Sequence, residues 1–99
     1  MNLLTLSARI VEAKPLRYTP AGVPVIDLQL EHESVQTEHG NQRVVKAVVQ
    51  AVAFGAVAER LQRQDAGSEW RFQGFVANAR QGRQVVLHIQ EFFNSNESN

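Results

Sequence analysis

The chain has 99 residues, no cysteine, and 10 basic against 10 acidic side chains, so its formal net charge is zero. That length suits one domain, the lack of cysteine excludes disulfides and thiolate metal sites, and no apolar run approaches the ~20 residues that span a bilayer. Neutrality argues against a polyanion partner, but the charges are segregated: residues 13–26, 39–58 and 70–90 contain no acid and hold Lys14, Arg17, Arg43, Lys46, Arg71, Arg80 and Arg83.

From the N-terminus, Leu4, Leu6, Ala8 and Ile10 alternate with Thr5, Ser7, Arg9 and Val11, which predicts a strand with one buried face. Arg17 and Tyr18 precede the turn Thr19-Pro20-Ala21-Gly22. Ile26, Leu28 and Leu30 then alternate with Asp27, Gln29 and Glu31, a second strand over about Val25 to Glu33. The polar run Ser34 to Gln42, with Gly40-Asn41, reads as a hairpin connection. A third strand, about Arg43 to Phe54, is rich in apolar residues on both rows, Val45, Ala47, Val49, Ala51 and Ala53 on one and Val44, Lys46, Val48, Gln50 and Val52 on the other. A half-exposed strand has a polar outer row, so the second row is either curled into a core or covered by another chain. A subunit contact through Val44, Val48 and Val52 is the preferred reading.

Gly55 to Gln64 sets Val57 and Leu61 at i and i+4 among good helix formers, predicting a short amphipathic helix that Asp65-Ala66-Gly67-Ser68 ends. Trp70, Phe72, Gly74 and Val76 open a fourth strand, with Trp70 and Phe72 as core. Phe75 faces the other way unless Gly74 marks a bulge. After a turn at Gln81-Gly82, Val85, Leu87 and Ile89 lie on a fifth strand to about Phe93, and the polar tail Asn94 to Asn99 is expected to be disordered. The string is that of an all-β, five-stranded OB-fold barrel over residues 1–93, with a short helix between strands 3 and 4. An open β-sandwich fragment gives a similar string but has no need of the helix.

The segments "LRYTPAGVPV" and "LEHESVQ", spanning Leu16 to Gln36, resemble the PriB family within the bacterial single-stranded-DNA-binding class. "RYTPAG" marks the class, "LEHESVQ" narrows it, and weaker likeness runs through "VVQAVAFG" and "WRFQGFV...QVVLHIQ", so that most of residues 3–93 are covered. The short tail after Phe93, where Glu97 is the one acid, fits this family better than longer single-strand binding proteins with an acidic tip. The resemblance implies a homodimeric, non-catalytic protein of the replication-restart primosome that binds single-stranded DNA without strong sequence preference and contacts the PriA helicase. Three features depart from the family. The loop "NARQGRQ" is short, with Arg80 and Arg83 where many relatives carry a longer lysine-rich loop; Glu31 and Glu33 bring acids to the end of strand two; and strand three has no aromatic before Phe54. Each removes charge or stacking surface, so weaker DNA binding or a shifted binding surface is expected.

Single-strand binding uses a basic groove and flat side chains under the bases. Tyr18, beside Arg17, is the stacking candidate, or else packs over the barrel end. Arg17, Arg43, Lys46, Arg80 and Arg83, with Lys14, are the phosphate candidates, or else solvated surface charge. His32 is placed facing the nucleic acid. His32, His39 and His88 lack metal-ligand spacing, and no P-loop, nucleophile elbow, HExxH or DxDxDG loop occurs, so no metal, cofactor or catalysis is expected. The expected partners are single-stranded DNA, PriA with other primosome proteins, and a second copy, in the cytoplasm and away from membrane. The alternative is a protein-interaction adaptor with an OB-fold and marginal nucleic-acid affinity, which net neutrality and the acids on strand two favour.

Overall fold

In the computed structural model, residues 1–94 are described, as β1 (Leu4–Ala13), β2 (Arg17–Tyr18), β3 (Pro24–Glu38), β4 (Asn41–Phe54), α1 (Ala56–Gln62), β5 (Glu69–Asn78) and β6 (Val85–Asn94). The alternating rows of β1 and β3 turn Ile10, Ile26 and Leu30 inward, where they meet Leu61, Phe72 and Leu87, all fully buried. A sheet with one apolar row must close on itself or find a second layer. Here it closes: the order is β1-β5-β6-β4-β3, and β1 pairs again with β3. The β4–β6 pairing is parallel, at Ala51–Leu87 and Val52–His88; the other pairings are antiparallel. The expected five-stranded barrel is therefore the observed one, with α1 between its third and fourth long strands. Ala58 and Leu61 of α1 join the core.

Two segments differ from the expected elements. Arg17 and Tyr18 are not loop but the short β2, paired with Val25 and Pro24. The turn beyond them is fixed by the Thr19 N–H donating to the Val23 carbonyl at 2.9 Å and the Gly22 N–H to the Thr19 carbonyl at 2.8 Å. Gly22 has φ +85°, where a side chain would be strained. Ser34 to Gln42 is likewise not a connection, because β3 runs to Glu38 and β4 starts at Asn41. Only His39 and Gly40 turn, both at positive φ as a two-residue type I′ hairpin requires. The polar composition misleads there because β1 pairs with β3 no further than Arg9–Glu31, and β6 pairs with β4 at Ala51 and Val52. Residues 33–46 therefore form a two-stranded arm wet on both faces, which needs no apolar row. Asn94 ends β6; the rest of the tail expected to be disordered lies outside the described residues.

The β5–β6 ladder shifts register where Gln73 faces Glu91 and Gly74 faces Ile89, leaving Gln90 as an extra residue on β6. The inward parity of β6 changes there, from Leu87 and Ile89 to Phe92, all three buried. Phe92 meets Trp70 edge-on at 5.0 Å between ring centroids, and the Arg60 guanidinium lies 4.6 Å over the same ring. Phe75 still points outward, since the extra residue is on β6 and not on its own strand. Glu91, just past the bulge, accepts the Phe92 N–H at 3.0 Å and Arg60 Nη1 at 2.9 Å. The Phe92 N–H, and after it Arg60, hold the Glu91 carboxyl below its ordinary range. A depressed folded-state value contributes stability above the unfolded value and loses it as pH falls through the folded one. Glu91→Gln should therefore lower the melting temperature at pH 7, and the gap to wild type should narrow as pH falls below the ordinary glutamate value of about 4.3 in thermal melts.

Candidate nucleic-acid interface

Register builds one outward row across four strands. Asp27 lies opposite Val52, Val52 beside His88, and His88 opposite Phe75. Phe54, two residues beyond Val52 on the same face, is 47% exposed. The His88 ring is held between two phenyl rings, near-parallel to both. Phe75 is 4.7 Å away at 13° and Phe54 6.1 Å away at 14°. The result is a column of three flat rings on the outer face of β4, β5 and β6, open at Phe54.

Basic side chains stand around the column. Arg17 of β2 donates from Nε and Nη2 to both Asp27 carboxylate oxygens, at 2.7 and 3.2 Å, and this pairing raises the Arg17 pKa. Arg80 comes from the 79–84 loop, closed by the Ala79 N–H donating to the Gln84 carbonyl at 2.7 Å. Arg17, Thr19, Phe54, Arg80 and His88 line an open groove of about 470 Å³. A smaller recess of about 210 Å³, lined by Glu12, Lys14, Gln29, Gln50 and Gln84, adjoins it, and Asp27 and Val86 wall both. Lys14, Arg80 and Arg83 form no ion pair among the described residues. The face of the second and third barrel strands, with the loops at 14–23 and 79–84, is where OB-folds take oligonucleotides.

The sequence-predicted residues divide between two places. Arg17 and Arg80 meet at the groove, Lys14 lines the adjoining recess, Arg83 shares the loop of Arg80, and Tyr18 stands next to Arg17, 62% exposed but not lining the groove. Arg43, Lys46 and His32 lie apart from it, along the β3–β4 hairpin. Arg43 pairs with Glu38 at 2.8 Å and Lys46 with Glu33 at 4.0 Å, exposed pairs that contribute little stability. His32 does not stand free: its Nδ1 lies 2.6 Å from the Ser7 carbonyl and its Nε2 2.7 Å from Ser34 Oγ. A carbonyl only accepts, so Nδ1 carries the hydrogen and His32 ties the arm to β1. Val52, expected at a subunit contact with Val44 and Val48, is 7% exposed, because Asp27 and His88 flank it at the groove floor. Val44, on the arm, and Val48, just below it, remain open at 57% and 58%, and Val35 of the arm is exposed with them. Asp27 and, in the recess, Glu12 are the acids at this site; a larger acidic group lies elsewhere. Glu31, Glu33 and Glu69 surround Arg9 on the outer face of β1, β3 and β5, where Arg9 pairs with Glu31.

Sequence reasoning missed the ring column. Alternation does place Phe54 and His88 outward, being next to inward Ala53, Leu87 and Ile89. Only the parallel β4–β6 pairing makes them neighbours.

Comparison with known proteins finds relatives among single-strand binding proteins. A sequence model described as another single-strand binding protein family matches residues 2–91. Replication restart protein PriB of Bordetella pertussis is 45% identical, over 92% of this chain and 86% of the relative. The protein of that name in Neisseria gonorrhoeae is 42% identical, over 90% of this chain and 89% of the relative. Among solved structures, PriB of Ralstonia solanacearum superposes with a TM-score of 0.87 at 32% identity, covering 97% of this chain and 99% of that one. The single-stranded DNA binding protein of Thermus aquaticus shares the fold, at TM-score 0.74 and 21% identity, over 93% of this chain and 48% of that one.

Proposed function

The chain belongs to the replication restart protein PriB family of single-strand binding proteins, and from that premise we propose that it holds single-stranded DNA within a replication-restart complex. The observation that carries this reading is the open ring column with Arg80 and Arg17 at its edge. A flat ring accepts any base face, while guanidinium groups track the phosphates, which gives binding without strong sequence preference. Its work is binding and scaffolding, with Lys14 and Arg83 extending the basic groove and Tyr18 a second stacking surface. The PriA helicase is the proposed protein partner and the cytoplasm the proposed compartment. A homodimer is also proposed, and the exposed Val35, Val44 and Val48 supply an apolar surface for it.

Fluorescence-anisotropy titration of a labelled dT oligonucleotide at several salt concentrations tests the reading. The log-log slope should be about −0.7 for each phosphate neutralised, and Arg80→Ala/Arg83→Ala should make it shallower by about 1.4. The adaptor reading keeps one observation in its favour, the acids gathered around Arg9. It would prevail if no oligonucleotide bound at low salt while the helicase still did.

A further inference from the structure

Asp27 is an odd occupant of a groove for a polyanion. Its side chain stands where the groove and the adjoining recess meet, and both of its oxygens are engaged by Arg17. A guanidinium fork fits a phosphate as well as a carboxylate, so a DNA phosphate reaching Arg17 competes for donors already in use. Both partners are solvent-accessible, with side-chain exposures of 57% and 35%, so exchange is not blocked by burial. The Asp27 backbone is fixed in place. Its backbone carbonyl accepts the Lys14 N–H at 2.9 Å, and its strand position is set opposite Val52. Once Arg17 turns to a phosphate, a bare carboxylate remains beside the strand and repels it.

We infer that Asp27 is a displaceable internal anion: it occupies Arg17 until a DNA phosphate replaces it, and thereby limits the affinity of the groove. This rests on the single-strand-binding reading above. It makes the hold on DNA self-limiting, which suits a strand that must be passed to another protein. The opposite role, in which Asp27 aims Arg17 at the phosphate, predicts the reverse sign.

Asp27→Asn keeps the side-chain shape and removes the charge. It should bind a dT oligonucleotide about fivefold more tightly at low salt. The log-log salt slope should steepen by about 0.7, a change that mere repacking would not produce. Arg17→Ala should then cost more affinity on the Asp27→Asn background than on the wild type, as a double-mutant cycle would measure. Equal or weaker binding by Asp27→Asn with an unchanged slope, against a wild type that binds, would overturn this inference alone. No binding by either protein at low salt would overturn the single-strand-binding reading and this inference with it.

Discussion

Phe54→Leu should weaken binding of a dT oligonucleotide roughly tenfold or more, and leave binding of an abasic oligonucleotide of equal length unchanged. Leucine keeps the apolar bulk at the end of β4 but has no flat face. Stacking one base on an aromatic ring contributes roughly 1–3 kcal/mol, which corresponds to about 5- to 150-fold in affinity. Phe54 closes the column whose inner rings are His88 and Phe75, and nearly half of its surface is free to take a base. The abasic strand retains every phosphate, so it reports the arginines and not the ring. Equal loss on both strands would mean that Phe54 supports the groove without touching bases. No loss on either would move the stacking surface elsewhere, with Tyr18 as the next candidate.

Gly74→Ala should destabilise the fold by about 3 kcal/mol or more, seen as a fall of over ~10 °C in the melting temperature by circular dichroism. Gly74 sits at the register shift between β5 and β6. A Cβ there would run into the His88 carbonyl oxygen, with the His88 carbonyl carbon at 2.9 Å and the Gln90 nitrogen at 3.2 Å. All three are backbone atoms, which cannot swing aside as a side chain would. Relief requires opening the ladder beside the bulge, and the bulge is what turns Phe92 into the core. The same strain bears on His88, so the surviving folded fraction should also bind DNA poorly. A melting temperature within 2 °C or so of wild type would show that β6 can shift there at little cost.

The long strands were legible because each has one inward row of period two, as Leu4, Leu6, Ala8 and Ile10 show. The arm was not, since a ribbon wet on both faces leaves no apolar period to read, and β2 is too short to have one. Arg80 and Arg83 could be placed because a Gly-containing loop between two strands must be exposed. The partners of the other charges could not. That Arg17 already holds Asp27 depends on β2 pairing with β3, and that His32 reaches Ser7 depends on where β1 parts from β3. The ring column was the largest omission for a similar reason. Its members are separated by 34 and 13 residues in the chain, and no local pattern joins them.

The parallel pairing of β4 with β6 also has a kinetic meaning. It joins the middle of the chain to β6, a contact that forms only after a long loop has closed. Until then Phe54 and His88 are far apart and Arg80 has no groove beside it. A chain emerging from synthesis, or one caught partly unfolded, therefore lacks both the ring column and the groove beside it. The ring column is assembled only once β6 has paired with both neighbours, so its presence reports the closed barrel.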